Sequence, residues 1–175
     1  MLTSGSNEWE TPQDLYDKLN KEFRFTLDPC ATANNAKCVK FYTKADNGLN
    51  KNWKGETVFC NPPYGREIYH WVKKCYEENK YNNVTVVMLI PARTDTYYFH
   101  DYIYNKAAIR FLKGRLKFSN SKNSAPFPSM VVIYRKNSHE HTIGDYYYQN
   151  AGAQVARLGG TGCWVEGGGR LLGFE

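Results

Sequence analysis

Residues Val84 to Ile90 read Val-Thr-Val-Val-Met-Leu-Ile, a nearly unbroken apolar run rich in β-branched side chains. A strand with one wet face alternates polar and apolar positions, because successive side chains point to opposite sides of the sheet. This run does not alternate, so it predicts a central parallel strand covered on both faces. Helices must supply that cover, which makes the chain an α/β protein.

The flanking sequence agrees. Thr11-Pro12 reads as an N-cap followed by proline at the first helical position, opening a helix over 13–23 with Leu15, Leu19 and Phe23 on one face. Arg24 to Leu27 predicts a short strand that stops at Asp28-Pro29, Val39 to Tyr42 a second and Glu56 to Cys60 a third. Ile68 to Glu78 has helical spacing, and Thr96 to Tyr104 suggests another helix. Ile109 to Leu112, Leu116 to Phe118 and Met130 to Tyr134 complete the strands. Strands alternating with helices imply a largely parallel sheet in one domain over residues 1–138. At 175 residues the chain can bury roughly 70% of its unfolded surface. Residues 139–175 read differently. Gly144 to Glu175 holds nine of the fourteen glycines, a density that costs backbone entropy and predicts a flexible appended segment.

Asn61-Pro62-Pro63-Tyr64 follows the apolar run Thr57-Val58-Phe59-Cys60. It predicts a stiff turn at the C-terminal end of a strand, the usual ligand position in an open α/β sheet. Two prolines donate no N–H, so carbonyls there stay free to accept hydrogen bonds. Asn61 adds an amide oxygen and Tyr64 a flat ring. A planar ligand carrying an NH₂ group, such as adenine, suits that set.

The net charge of +6 is uneven. Tyr102 through Ser138 contains no Asp or Glu but eight cations, Lys106, Arg110, Lys113, Arg115, Lys117, Lys122, Arg135 and Lys136. Such a field suits a polyanion, and strand-like sequence favours nucleic acid over a membrane surface. No apolar stretch is long enough to span a bilayer, and the first ten residues do not read as a secretion signal. Five cysteines without a Cys-x-x-Cys pair suggest reduced thiols in a cytoplasmic protein, and the four histidines are not spaced with them as metal ligands.

Beyond Asn-Pro-Pro-Tyr, the chain carries Trp9-Glu10-Thr11-Pro12, Leu27-Asp28-Pro29-Cys30-Ala31 and Asp46-Asn47-Gly48-Leu49 with Trp53. Ile90-Pro91-Ala92-Arg93-Thr94-Asp95-Thr96, Gly114-Arg115-Leu116-Lys117-Phe118 and Ala125-Pro126-Phe127-Pro128-Ser129 follow. This ordered set resembles the phage and prophage DNA N6-adenine methyltransferases, the phage Dam family, over about residues 7 to 136. The resemblance implies the S-adenosylmethionine (SAM)-dependent methyltransferase fold, a Rossmann-like and mostly parallel sheet flanked by helices. It also implies DNA as partner and a bacterial cytoplasm as setting.

The resemblance places SAM at Thr11, Pro12, Asp28, Pro29, Cys30 and Asp46. Asp28 could equally hold an Asx-turn or a helix N-cap, Asp46 could simply be solvated, and the Gly-rich turn many methyltransferases carry after the first strand is missing. Asn61, Pro62, Pro63 and Tyr64 become the catalytic turn. Asn61 Oδ1 and the Pro62 carbonyl would each accept one N–H of the amino group, pulling its nitrogen toward tetrahedral geometry for attack on the sulfonium methyl. In a duplex the base must first be flipped out of the stack. Tyr64 would cover one face of it, and Phe127 either the other face or only the core. Arg93 would meet a phosphate or pair with Asp95, and Arg115 and Lys117 would meet the DNA backbone. Cytosine N4 or a protein amide stays open as the acceptor, as does a nucleic-acid-binding module that has lost catalysis. Sequence specificity would come from loops or a homodimer partner, or be loose.

Overall fold

A computed structural model of the chain describes residues 9–137 and 143–146. The first helix, α1, is Gln13–Phe23 and buries Leu15, Tyr16 and Leu19. It ends at Arg24, which takes the left-handed conformation (φ 57°) that caps helix C-termini. The predicted strand from Arg24 therefore shortens to β1, Leu27–Asp28. Then follow β2 (Lys40–Phe41), a 3₁₀ turn at Gly48–Asn50 and β3 (Thr57–Cys60). Helix α2 runs Ile68–Asn82, one turn beyond its predicted end, because Asn83 (φ 53°) provides the left-handed cap.

The central strand is β4, Thr85–Pro91, with all but its first residue buried. The helix predicted over 96–104 is present as a short one, in which residues 97–98 lead into a π-helical turn, Phe99–Ile103. Two further strands are β5 (Ala108–Leu112) and β6 (Ser129–Tyr134). The predicted strand at Leu116–Phe118 has no ladder partner among the described residues. Its alternating burial comes from Leu116 and Phe118 packing inward while Lys117 faces water. A last strand, β7 (Ile143–Tyr146), lies inside the segment read as a glycine-rich appendage and pairs in parallel with β5. The rest of that segment lies outside the described residues.

Among the described residues seven strands form one sheet in the order β2-β1-β3-β4-β6-β5-β7. Only β6 runs against its neighbours, pairing antiparallel with both β4 and β5. The expected α/β domain with a largely parallel sheet is therefore present, consistent with a methyltransferase fold. Phe59 packs edge-on against Tyr16 of α1, whereas the next residue, Cys60, interacts with Cys75 of α2. Adjacent strand residues face opposite sides, so α1 and α2 cover opposite faces of the sheet. No helix among the described residues is long and apolar enough to cross a membrane.

Candidate active site

The chain leaves β1 for the β2 edge and then returns to place β3 on the other side of β1. The carboxyl ends of β1 and β3 thus flank a topological switch point, where open α/β sheets leave a crevice. Here the crevice has a volume of about 720 Å³, in the range of small-molecule sites. Thr11, Asp28, Pro29, Cys30, Asn61, Pro62 and Pro63 line it, as do Trp9, Lys37, Gly48, Leu49 and Trp71. Pro12 and Asp46 stand outside this lining. Asp46 is exposed and accepts hydrogen bonds from the Thr43 amide and hydroxyl (2.8 and 2.7 Å), which shapes the turn bordering the crevice.

Asp28 is only 5% exposed. Its carboxylate accepts the backbone N–H groups of Lys37 (3.2 Å) and Cys30 (3.4 Å), the latter an Asx-turn, so Asp28 holds the turn and also lines the crevice. Burial lifts its pKa from 3.8 to about 6 against the pull of those two amides. Such a carboxylate is poised to gain from a ligand that brings a cation or hydroxyl donors. The neighbouring thiols of Cys30 and Cys60 lie 3.6 Å apart, and burial pushes both well above the ordinary thiol pKa.

Asn61 is held on three sides. Its amide nitrogen donates to the Trp9 carbonyl and to Thr11 Oγ1 (2.9 Å), while its Oδ1 accepts from the Tyr64 hydroxyl (2.9 Å). A carbonyl can only accept, so the Trp9 oxygen fixes which end of the amide faces it. Thr11 was expected to cap α1 through its side chain. Pro12 occupies the N-cap position instead, no side-chain cap bond forms, and the Thr11 hydroxyl goes to Asn61.

Tyr64 is 6% exposed, and its hydroxyl also sits 3.0 Å from the Leu89 carbonyl of β4. Its ring meets Phe127 (5.6 Å) and Phe118 (6.1 Å) at steep angles. Trp9 closes this cluster against Phe118 (5.1 Å) and Phe127 (5.3 Å). Phe127 and Trp9 are half-buried, and Trp9 lines the crevice. Trp9 had no role in the sequence reading, because its contribution to Asn61 is a backbone carbonyl, which no residue type announces. Gly48 was passed over likewise. A Cβ there would overlap the Pro29 carbonyl oxygen and sit 3.2 Å from Trp71, so only glycine lets this turn close on β1.

The basic stretch divides. Strands β1, β3, β4 and β5 all end at the crevice side of the sheet, which brings the loop over 113–128 to the same end as Asn61. The Glu10 carbonyl accepts the Ser119 N–H (2.9 Å), fastening that loop to the crevice. Arg115, Lys117 and Lys122 are exposed on it. Arg93 is exposed on the turn after β4, which is held by Thr96 Oγ1 donating to the Arg93 carbonyl (2.8 Å) rather than by an Arg93–Asp95 ion pair. Arg110, expected on the DNA face, turns toward α1 and makes two 2.7 Å bonds to Glu22, whose carboxylate also takes Arg135 (2.7 Å). Those bonds hold the Glu22 carboxyl below the usual carboxylate range. Among the described residues no group of three or more His, Cys, Asp or Glu side chains is gathered to hold a metal.

Comparison with known proteins gives the chain a family. Over 111 residues, 62% of this chain, it is 35% identical to a DNA N-6-adenine-methyltransferase of Escherichia phage T1 and spans 45% of that protein. It is also 38% identical over 71 residues to a putative methyltransferase, YfdM, of Escherichia coli strain K12, covering 36% of this chain and 77% of that one. The family model for DNA N-6-adenine-methyltransferase (Dam) matches residues 2–156, and the chain belongs to that family.

Proposed function

We propose that this chain uses SAM to methylate the N6 amino group of adenine in DNA. The observation carrying this reading is the Asn61 amide. It has two N–H donors and two oxygen lone pairs, and three of these four are engaged within the protein. The fourth, a lone pair on Oδ1, is left for a ligand beside the Pro62 carbonyl. Two acceptors together match one exocyclic NH₂.

The crevice residues fit the cofactor. Asp28 supplies a buried carboxylate without a full counter-charge, and Gly48, Leu49 and Trp71 supply flat and apolar walls. When bound, SAM supplies an activated methyl group on a sulfonium. The chain's own part is to receive the flipped base. Phe127 and Trp9 flank it, while Asn61 Oδ1 and the Pro62 carbonyl take its two N–H bonds and localise the nitrogen lone pair. Pro63 keeps that turn stiff. An amide oxygen is too weak a base to remove a proton beforehand, so the proton leaves afterwards to water. Arg93, Arg115 and Lys117 hold phosphates around the opening. Residues 1–138 carry the proposed catalytic groups in this reading, β7 extends their sheet, and loops or a second copy supply specificity. The relatives from a phage and from E. coli support a phage- or prophage-encoded enzyme working in bacterial cytoplasm.

Incubation with methyl-labelled SAM and mixed-sequence duplex DNA, followed by nucleoside analysis, tests this. N6-methyladenine is expected, formed about 10²-fold or more slowly by Asn61→Ala. Label in N4-methylcytosine or in protein would overturn the assignment of acceptor.

A further inference from the structure

Tyr64 presents its hydroxyl, not an open ring face, to the catalytic turn. The ring is buried against Phe118 and Phe127, and the oxygen lies between Asn61 Oδ1 (2.9 Å) and the Leu89 carbonyl (3.0 Å). One proton is thus shared by two acceptors from neighbouring parts of the sheet, since Asn61 directly follows β3 and Leu89 belongs to β4. Leu89 is fixed by the β4–β6 ladder, opposite Val131. A hydroxyl anchored on such a carbonyl can hold Oδ1 in one orientation, where a solvent-facing amide would sample several.

We propose that Tyr64 is a positioning residue whose hydroxyl occupies one lone pair of Asn61 Oδ1 and thereby aims the other at the substrate amino group. The proposal rests on the adenine-methyltransferase reading above. Trp9 and Thr11 fix the nitrogen end of the amide, and Tyr64 fixes the oxygen end. With three bonds in place the amide cannot rotate, and its remaining acceptor direction is set before the base arrives. A role of this kind matters when the amino nitrogen leaves planarity, and little when the base or SAM merely binds.

Four proteins test it: wild type, Tyr64→Phe, Asn61→Ala and the double variant, each assayed for SAM affinity, KM for DNA and kcat. Tyr64→Phe keeps the ring and loses one hydrogen bond. Its kcat should fall about tenfold, the worth of one such bond, with SAM affinity and KM within about twofold of wild type. In the Asn61→Ala background the same change should cost nothing more, because a residue acting only through Asn61 has nothing left to act on. Full kcat in Tyr64→Phe would overturn the proposal while leaving the function intact. So would an equal further loss in the double variant, or loss of SAM binding, which would mark a purely structural hydroxyl. Undiminished turnover in Asn61→Ala would sink the function itself.

Discussion

Replacing Asp28 by asparagine should stabilise the protein at high pH while disabling the crevice. The carboxyl titrates at about 6 in the folded protein against 3.8 ordinarily, so folding favours its protonated form. The folded state then binds more protons than the unfolded one between those two values, and wild-type stability falls as pH rises through them. At 1.36 kcal/mol per pKa unit, this ionisation costs about 0.5 kcal/mol at pH 4 and about 3 kcal/mol at pH 8. Asparagine does not titrate and escapes that cost. Its amide, however, can accept only one of the two N–H bonds from Lys37 and Cys30 and turns an NH₂ toward the other. That mismatch costs about 1 kcal/mol at every pH. The variant should therefore be about 2 kcal/mol more stable than wild type at pH 8, slightly less stable at pH 4, and equal to it near about pH 4.5. Urea unfolding followed by circular dichroism across this range measures the difference. In parallel, calorimetric titration should show SAM affinity lost in the variant at pH 8, and falling in wild type by about tenfold per pH unit below 6. A stability difference that stays constant from pH 4 to pH 8 would refute the burial argument, whatever happened to SAM.

Gly48→Ala puts a methyl group into the Pro29 carbonyl and should destabilise by about 1–3 kcal/mol in urea, with weaker SAM binding; unchanged affinity would mean the turn is not a wall of the cofactor site. Phe127→Ala should raise KM for DNA by about 1–3 kcal/mol equivalent and spare SAM affinity, as loss of a base-stacking ring does, whereas a core role alone would lower only the melting temperature. Arg115→Ala and Lys117→Ala should each reduce the log–log salt slope of DNA binding by about one, read by fluorescence anisotropy. Arg110→Ala should leave that slope alone and cost about 1–2 kcal/mol of stability, since its guanidinium is committed to Glu22.

What could be read in the sequence was whatever burial writes into residue type. Val84 to Ile90 is legible as the central strand because cover on both faces leaves no polar position. Asn61-Pro62-Pro63 is legible because proline and strand end fix a turn whatever surrounds it. Arg24 was misread as strand because a left-handed cap made by a residue other than glycine has no local signature. Leu116 and Phe118 alternate with Lys117 as a strand would, yet both are buried outside any ladder among the described residues, Phe118 against the Phe127 ring. Arg110 shows its charge in the sequence but not its partner, 88 residues away on α1. Tyr64 offered a ring to the reader, while its placement depends on a Leu89 carbonyl that belongs to no side chain.

The three-sided hold on Asn61 has a consequence for how the domain folds. Its nitrogen partners, Trp9 and Thr11, lie 52 and 50 residues upstream, and its oxygen partner's anchor, Leu89, lies downstream on β4. Loop closure over that span must precede any benefit from the contacts. A chain that has paired β3 with β4 but not yet docked Trp9 and Thr11 would own a sheet and no working site. In refolding experiments the recovery of ellipticity should therefore run ahead of the recovery of SAM binding, and the lag between them times the docking of the N-terminal segment.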